Sequence, residues 1–177
     1  MTRPTVAEIN LTAIRKNLKK IKSLSRDSLI YPVVKANAYG HGYKKVVKEI
    51  ENSVDGLCVA TTEEALEIRK ITNKNILCME GPYDQKEFDL LIKNKIDILF
   101  HSKRQIGFIE RTNDFPKEIK VWIKIDTGMN RLGFKEDEII DAYKKIQVKT
   151  KKIVLMSHFS SAAGTKSSKI KSKKQID

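Results

Sequence analysis

Val33-Val34-Lys35-Ala36-Asn37-Ala38-Tyr39-Gly40-His41-Gly42 sets one lysine directly after an apolar run and directly before a turn bracketed by glycines. A lysine placed at the mouth of a buried strand serves solubility poorly. It serves well as a nucleophilic amine, because partial desolvation weakens its preference for the charged form and frees it to add to a carbonyl. Tyr39, His41 and the backbone amides around Gly40 and Gly42 follow within reach. The set is what a phosphate-bearing carbonyl cofactor requires of its lysine.

Outward from this stretch the chain alternates strand and helix. Residues 29–34 read as a strand that runs into Lys35, preceded by a helix over 12–24 with Ile14, Leu18, Ile21 and Leu24 on one face. Helix 43–50 follows, then a strand at 56–60. Thr61 with Glu64 three residues later is a capping-box signature that opens the next helix. Strands are expected at 76–79, 97–100, 119–125 and 153–157, with helices between them starting near Gln85 (capped by Asp84), after Ser102 and near Glu136. About six β–α units imply parallel strands joined by right-handed crossovers. No Gly-x-Gly-x-x-Gly follows the first strand, which argues against a dinucleotide-binding sheet. The chemically suggestive residues instead fall after several different strand ends, as in a (β/α)8 barrel. The expected fold class is α/β, an incomplete (β/α)8 TIM-type barrel.

Composition bounds the setting. The 177 residues suffice for one domain with a real core. No apolar run approaches the roughly 20 residues that span a bilayer, and the two cysteines, Cys58 and Cys78, read as reduced core residues of a cytoplasmic protein. Only seven of the 35 basic residues are arginine, and the lysines are spread over almost every helix. The net charge of +13 is therefore read as solvated helix surface rather than a nucleic-acid footprint. Residues 164–177 hold five lysines and little apolar surface, and are expected to form a basic disordered tail after a domain spanning residues 1–163.

A second constellation is Lys124-Ile125-Asp126-Thr127-Gly128-Met129-Asn130-Arg131-Leu132-Gly133. Asp-Thr-Gly also occurs in aspartic proteases, but those bring two carboxylates together in an all-β setting, and this chain alternates β and α. Arg131 offers a planar fork suited to a phenolate or carboxylate oxygen. Lys124 is placed to point into the barrel, where an ammonium is costly without a partner. His158 lies after the last strand in Ser157-His158-Phe159, aligned with the Lys35 rim. His41 is assigned to the turn, His101 has no evident chemical neighbour, and no metal-ligand spacing is evident.

Taken together these blocks resemble the alanine racemase family. Val33 to Gly42 fits its pyridoxal-phosphate attachment motif throughout, and Ala7-Glu8-Ile9-Asn10-Leu11 looks like its opening strand, with asparagine where aspartate is more usual. Asp126 to Gly133 and Ser157-His158-Phe159 resemble two further blocks. The resemblance implies interconversion of L- and D-alanine for cell-wall precursors, with pyridoxal 5'-phosphate as cofactor and a homodimer as the assembly. Lys35 would be the Schiff-base lysine and the base on one substrate face, and Tyr39 would contact the cofactor phosphate. Arg131 would meet the phenolic oxygen and the substrate carboxylate, while His158 would join the polar network beside the ring. Met129 would sit near the substrate at the subunit interface. Lys124 matches the position that is carbamylated in many relatives, which would turn a costly cation into an anion able to pair with Arg131.

The family continues to eight strands and a separate β domain that carries a second catalytic base, a tyrosine. On this resemblance the chain is expected to be truncated and inactive alone. A pyridoxal-phosphate binding or homeostasis protein stays open as an alternative, because it needs the lysine but no second base. A basic nucleic-acid module is a more distant one.

Overall fold

The computed structural model describes residues 4–162 and 164–176. Five parallel strands form one sheet in the order of the chain: β1 (Gly56–Val59), β2 (Asn75–Cys78), β3 (Asp97–Phe100), β4 (Val121–Lys124) and β5 (Ile153–Met156). Each strand pairs with the next, with Cys58 opposite Leu77, Leu99 opposite Trp122 and Lys124 opposite Met156. The crossovers are α4 (Thr62–Arg69), α5 (Gln85–Lys93), α6 (Lys103–Glu110) and α7 (Glu136–Gln147). A sheet wound in chain order with one helix per crossover is part of a (β/α)8-type barrel.

Burial divides the strands by parity, because alternate side chains leave opposite faces. Leu57, Val59, Ile76, Cys78, Ile98, Phe100, Val121 and Ile123 join the helices in the main core. There Phe88 of α5 meets the rings of Phe100, Phe108 and Phe115 at 6.2, 6.2 and 6.4 Å. Cys58, Leu77 and Leu99 face the other way, into the barrel interior, with Tyr31, Met79, Trp122 and Met156 partly buried around them. Strands buried on both faces read as continuous apolar runs, which is why they were visible in the sequence.

Side-chain caps mark the starts of α4 and α5. Thr61 accepts the Glu64 amide at 3.4 Å and Asp84 accepts that of Glu87 at 2.8 Å. The Ser102 side chain does not cap α6; Gln105 instead reaches back to the His101 amide at 2.9 Å. Residues 4–10 form no strand, and Asn10 caps α1 (Leu11–Leu24) by accepting the Ala13 amide. Of the expected apolar face of α1, Leu18 is buried and Ile14 packs on the core, whereas Ile21 and Leu24 are exposed.

Two further expectations are corrected. Residues 29–34 are not a strand: only Val33 bridges to Cys58, with the Val34 amide donating to the Cys58 carbonyl and the Cys58 amide to the Pro32 carbonyl, both at 2.8 Å. Pro32 has no amide hydrogen, so the ladder cannot propagate through it. The sixth unit is therefore a bridged segment beside five true strands. The second correction concerns the expected disordered tail over 164–177, where Lys166–Ile176 is a helix, α8. It lacks an apolar face, and polar contacts hold it. The Thr165 hydroxyl accepts the Ser168 amide at 3.2 Å, and the Ser172 hydroxyl donates to the Ser161 carbonyl at 2.9 Å. Gln175 ties it to the loops after β4 and β5. A composition argument weighs buried apolar area alone and misses such contacts.

Candidate active site

Lys35 opens α2 (Lys35–Tyr39), a single turn that runs the unusual way round. Ala36, Asn37, Ala38 and Tyr39 have φ of 49, 55, 53 and 53°, so four successive non-glycine residues are left-handed. Each such residue costs about 1–2 kcal/mol, because Cβ crowds the following carbonyl. Strain of this kind persists only where surroundings over-determine it. The Gly40 amide donates to Ala36 O and the Gly42 amide to Asn37 O, each at 3.0 Å, and the Asn37 side chain accepts the Tyr43 amide at 3.0 Å. His41 Nδ1 lies 2.8 Å from Ala38 O, so this histidine serves the turn as expected. Gly42 then leads into α3 (Tyr43–Ile50). The turn leaves Lys35 half-buried and Tyr39 60% exposed at the C-terminal end of the sheet.

Lys124 ends β4 and is only 6% exposed. Burial pushes its pKa below the ordinary lysine value, the neighbouring Arg131 guanidinium lowers it further, and Asp126 partly opposes both. The loop that follows is held closed on itself. Asp126 Oδ1 accepts the amides of Gly128 at 3.0 Å and Asn130 at 2.9 Å, and these bonds hold its carboxyl below the usual range. The loop returns through a bridge between Ile125 and Phe134, which leaves Arg131 exposed and Met129 half-buried at the rim.

His158 follows β5 and is exposed, yet its pKa is lowered, first by partial desolvation and then by Lys124, Arg131 and Lys35. All three cations are thus within electrostatic reach of one imidazole. Thr127 and Ser157 join the two loops beneath them, hydroxyl to hydroxyl at 2.6 Å. The structure thereby gathers Lys35, Lys124, Arg131 and His158 at one end of the sheet, with Tyr39 and Met129 on the flanking loops.

His101, given no neighbour by the sequence, also belongs to this end. It is half-buried, with Nε2 3.1 Å from the Glu80 carbonyl, and burial and Lys124 lower its pKa. Only its position after β3 could have shown this. Gly81, which follows Glu80, has φ +66°, and a Cβ there would lie 2.1 Å from the Leu99 carbonyl oxygen.

Chemically the rim is a cationic basin with one buried ammonium, Lys124, and a guanidinium in the loop that follows it. Such a basin fits an anionic group, as the phosphate and phenolate of pyridoxal phosphate would be, and Lys35 provides an amine at its edge. The residues present therefore fit the expected cofactor. Away from the rim, an open groove of about 550 Å³ lies between α4 and α5.

Comparison with known proteins gives the same picture. The family model described as "Alanine racemase, N-terminal domain" matches residues 9–177 and so includes α8. The alanine racemase of Haemophilus influenzae is 42% identical over 165 residues, which cover 90% of this chain and 45% of that protein. The alanine racemase of Actinobacillus succinogenes is 40% identical over 164 residues, covering 90% and 46%. Among solved structures, the biosynthetic alanine racemase of Pseudomonas aeruginosa superposes with a TM-score of 0.87 at 31% identity, covering 98% of this chain and 49% of that one. The chain spans about half the length of the curated relatives it matches. With a family model over nearly its whole length and a rim of matching chemistry, the chain belongs to the alanine racemase family through that family's N-terminal domain.

Proposed function

We propose that this chain carries the pyridoxal-phosphate face of an alanine racemase site, with L- and D-alanine as the substrate pair. The placement of Lys35 after the bridge to β1, of Lys124 at the end of β4 with Arg131 in the loop that follows, and of His158 after β5 is the observation that supports the reading. Pyridoxal phosphate, when bound, supplies an electron sink that makes the substrate α-proton removable. The remaining work falls to the chain. Lys35 would hold the cofactor through its amine and, as a free amine, would move the α-proton at one face. Tyr39 would contact the phosphate. Arg131 would serve the phenolic oxygen and the substrate carboxylate. Carbamylated, Lys124 would set a negative charge against Arg131 in place of the present cation. His158, with its lowered pKa, is neutral at pH 7 and adds no further charge to the basin. Met129 lines the substrate side at the interface of a homodimer, and the cytoplasm is the compartment that keeps Cys58 and Cys78 as thiols.

Racemisation also needs a group on the opposite face. None of the described residues is assigned to it. The test is an absorbance spectrum with added pyridoxal phosphate, followed by borohydride and peptide mapping. A visible band trapped on Lys35 supports the proposal; a folded chain that captures no cofactor on Lys35 rejects it.

A further inference from the structure

The left-handed turn after Lys35 is bonded mostly to itself. The hydrogen bonds of Gly40, His41 and Gly42 run to Ala36, Ala38 and Asn37, and that of Asn37 runs to Tyr43. Such bonds fix the shape of the turn, and its backbone link to the sheet runs through one residue: the Ala38 amide donates to the Val34 carbonyl at 2.9 Å, and the Val34 amide to Cys58 of β1. Among the described residues, one side chain outside this segment bonds it. Glu64 Oε1 accepts the Ala36 amide at 2.6 Å, while Oε2 accepts the Ala60 amide at 2.9 Å. One carboxylate thus joins the residue next to Lys35 with the residue that follows β1. Glu64 is itself seated in the first turn of α4, where the helix N-terminus favours a negative charge, and its own amide is capped by Thr61.

This departs from the capping box that the sequence predicts. In that motif the glutamate would return to the amide of the capping residue itself. Here it reaches one residue further back with one oxygen and across to the lysine turn with the other. Bonds from backbone amides to an ionised carboxylate are among the stronger ones available to a turn. The Ala36 amide begins the strained run, so its position sets the exit direction of Lys35 and, one turn later, of Tyr39.

We propose that Glu64 is a positioning residue that clamps the Lys35 turn onto the end of β1 and so aims the lysine amine into the basin. The link to cofactor capture rests on the reading of Lys35 above, whereas the clamp itself does not. The test compares Glu64→Ala, Glu64→Gln and, as a control for helix capping alone, Thr61→Ala, all in the 177-residue chain. Amide hydrogen exchange over residues 34–43 is measured without cofactor. Borohydride-trapped capture of pyridoxal phosphate on Lys35 and the thermal midpoint are measured alongside.

Loss of the charge-assisted bond in Glu64→Ala is expected to speed exchange at Ala36 to Gly42 about tenfold and to slow Lys35 capture by a similar factor. Glu64→Gln keeps one oxygen acceptor and is expected to fall between, which preserves the comparison if the alanine variant folds poorly. Thr61→Ala is expected to lower the thermal midpoint while leaving turn exchange and Lys35 capture near wild type. If Glu64→Ala and Glu64→Gln change turn exchange no more than Thr61→Ala does, Glu64 is only a helix cap and the proposal is overturned. If the wild-type chain captures no cofactor on Lys35, the functional reading fails while the exchange comparison still decides the clamp.

Discussion

Phe134 donates its amide to the Lys124 carbonyl at 2.8 Å, and the Asp126 amide returns the bond to Phe134 O at 3.0 Å. The loop that carries Arg131 therefore leaves and rejoins the same strand end that carries the buried lysine. Arg131 is held beside Lys124 by backbone geometry, without a side-chain partner having to place it there.

Closure of that loop depends on Gly133. Its φ is +134°, and a Cβ there would stand 2.6 Å from the Asp126 amide nitrogen. Gly133→Ala is expected to cost about 1–3 kcal/mol, read as a lower urea midpoint with an unchanged m-value. The bond between Phe134 and Lys124 should loosen with it, seen as faster exchange of the Phe134 amide.

Lys124→Met should stabilise the protein. The ammonium is nearly fully buried against a like charge, and an apolar side chain of similar length removes that cost. A gain of about 1 kcal/mol, or roughly 2–4 °C in thermal midpoint, is expected at pH 7 in buffer free of carbon dioxide. The sign follows from the lowered pKa. The unfavourable contribution is complete below the folded-state pKa and fades as pH rises from there towards the ordinary lysine value. The advantage of Lys124→Met should therefore shrink at alkaline pH. With bicarbonate added, carbamylation of Lys124 would reverse it.

His158 should titrate below 6.5 in a two-dimensional NMR series, since partial desolvation and then Lys124, Arg131 and Lys35 all disfavour its cation. Its contribution is neutral above the unfolded pKa and turns destabilising as pH falls through that value to the folded one. In Lys124→Met the His158 midpoint should move up, because one of the three cations is gone. A midpoint that does not respond would mean that the two side chains are not close.

Gln175→Ala should detach α8 without unfolding the sheet. Gln175 donates to Thr127 Oγ1 at 3.2 Å and to the His158 carbonyl at 3.0 Å, and it accepts the Ser160 amide at 2.9 Å. Ellipticity at 222 nm should drop, and the Ser160 amide should exchange faster. The thermal midpoint should stay within about 2 °C, as expected for a change that leaves the hydrophobic core intact.

The barrel class was legible because each strand is a short apolar run between helical patterns, and period and turn signals are local properties. The starts of α5 at Gln85 and α7 at Glu136, and all four residues of β3, follow from such signals. The first strand failed at Pro32, where a missing amide outweighs an apolar pattern. The tail failed because Gln175 finds partners 15, 17 and 48 residues away, which no window of composition contains. The candidate site was legible where a motif is contiguous, as at Lys35 and Arg131. It was illegible at His101 and in the reach of Glu64, since both depend on which strand ends become neighbours.

The interior face of the sheet bears the chain's single tryptophan. Trp122 is half-buried there, its ring edge-on to Tyr31 at a centroid separation of 5.6 Å. Any polypeptide that completes the barrel must cover that face, so the indole is a built-in optical gauge. Its emission should shift to shorter wavelength as water leaves the interior, and barrel closure could be followed in real time without attaching a dye.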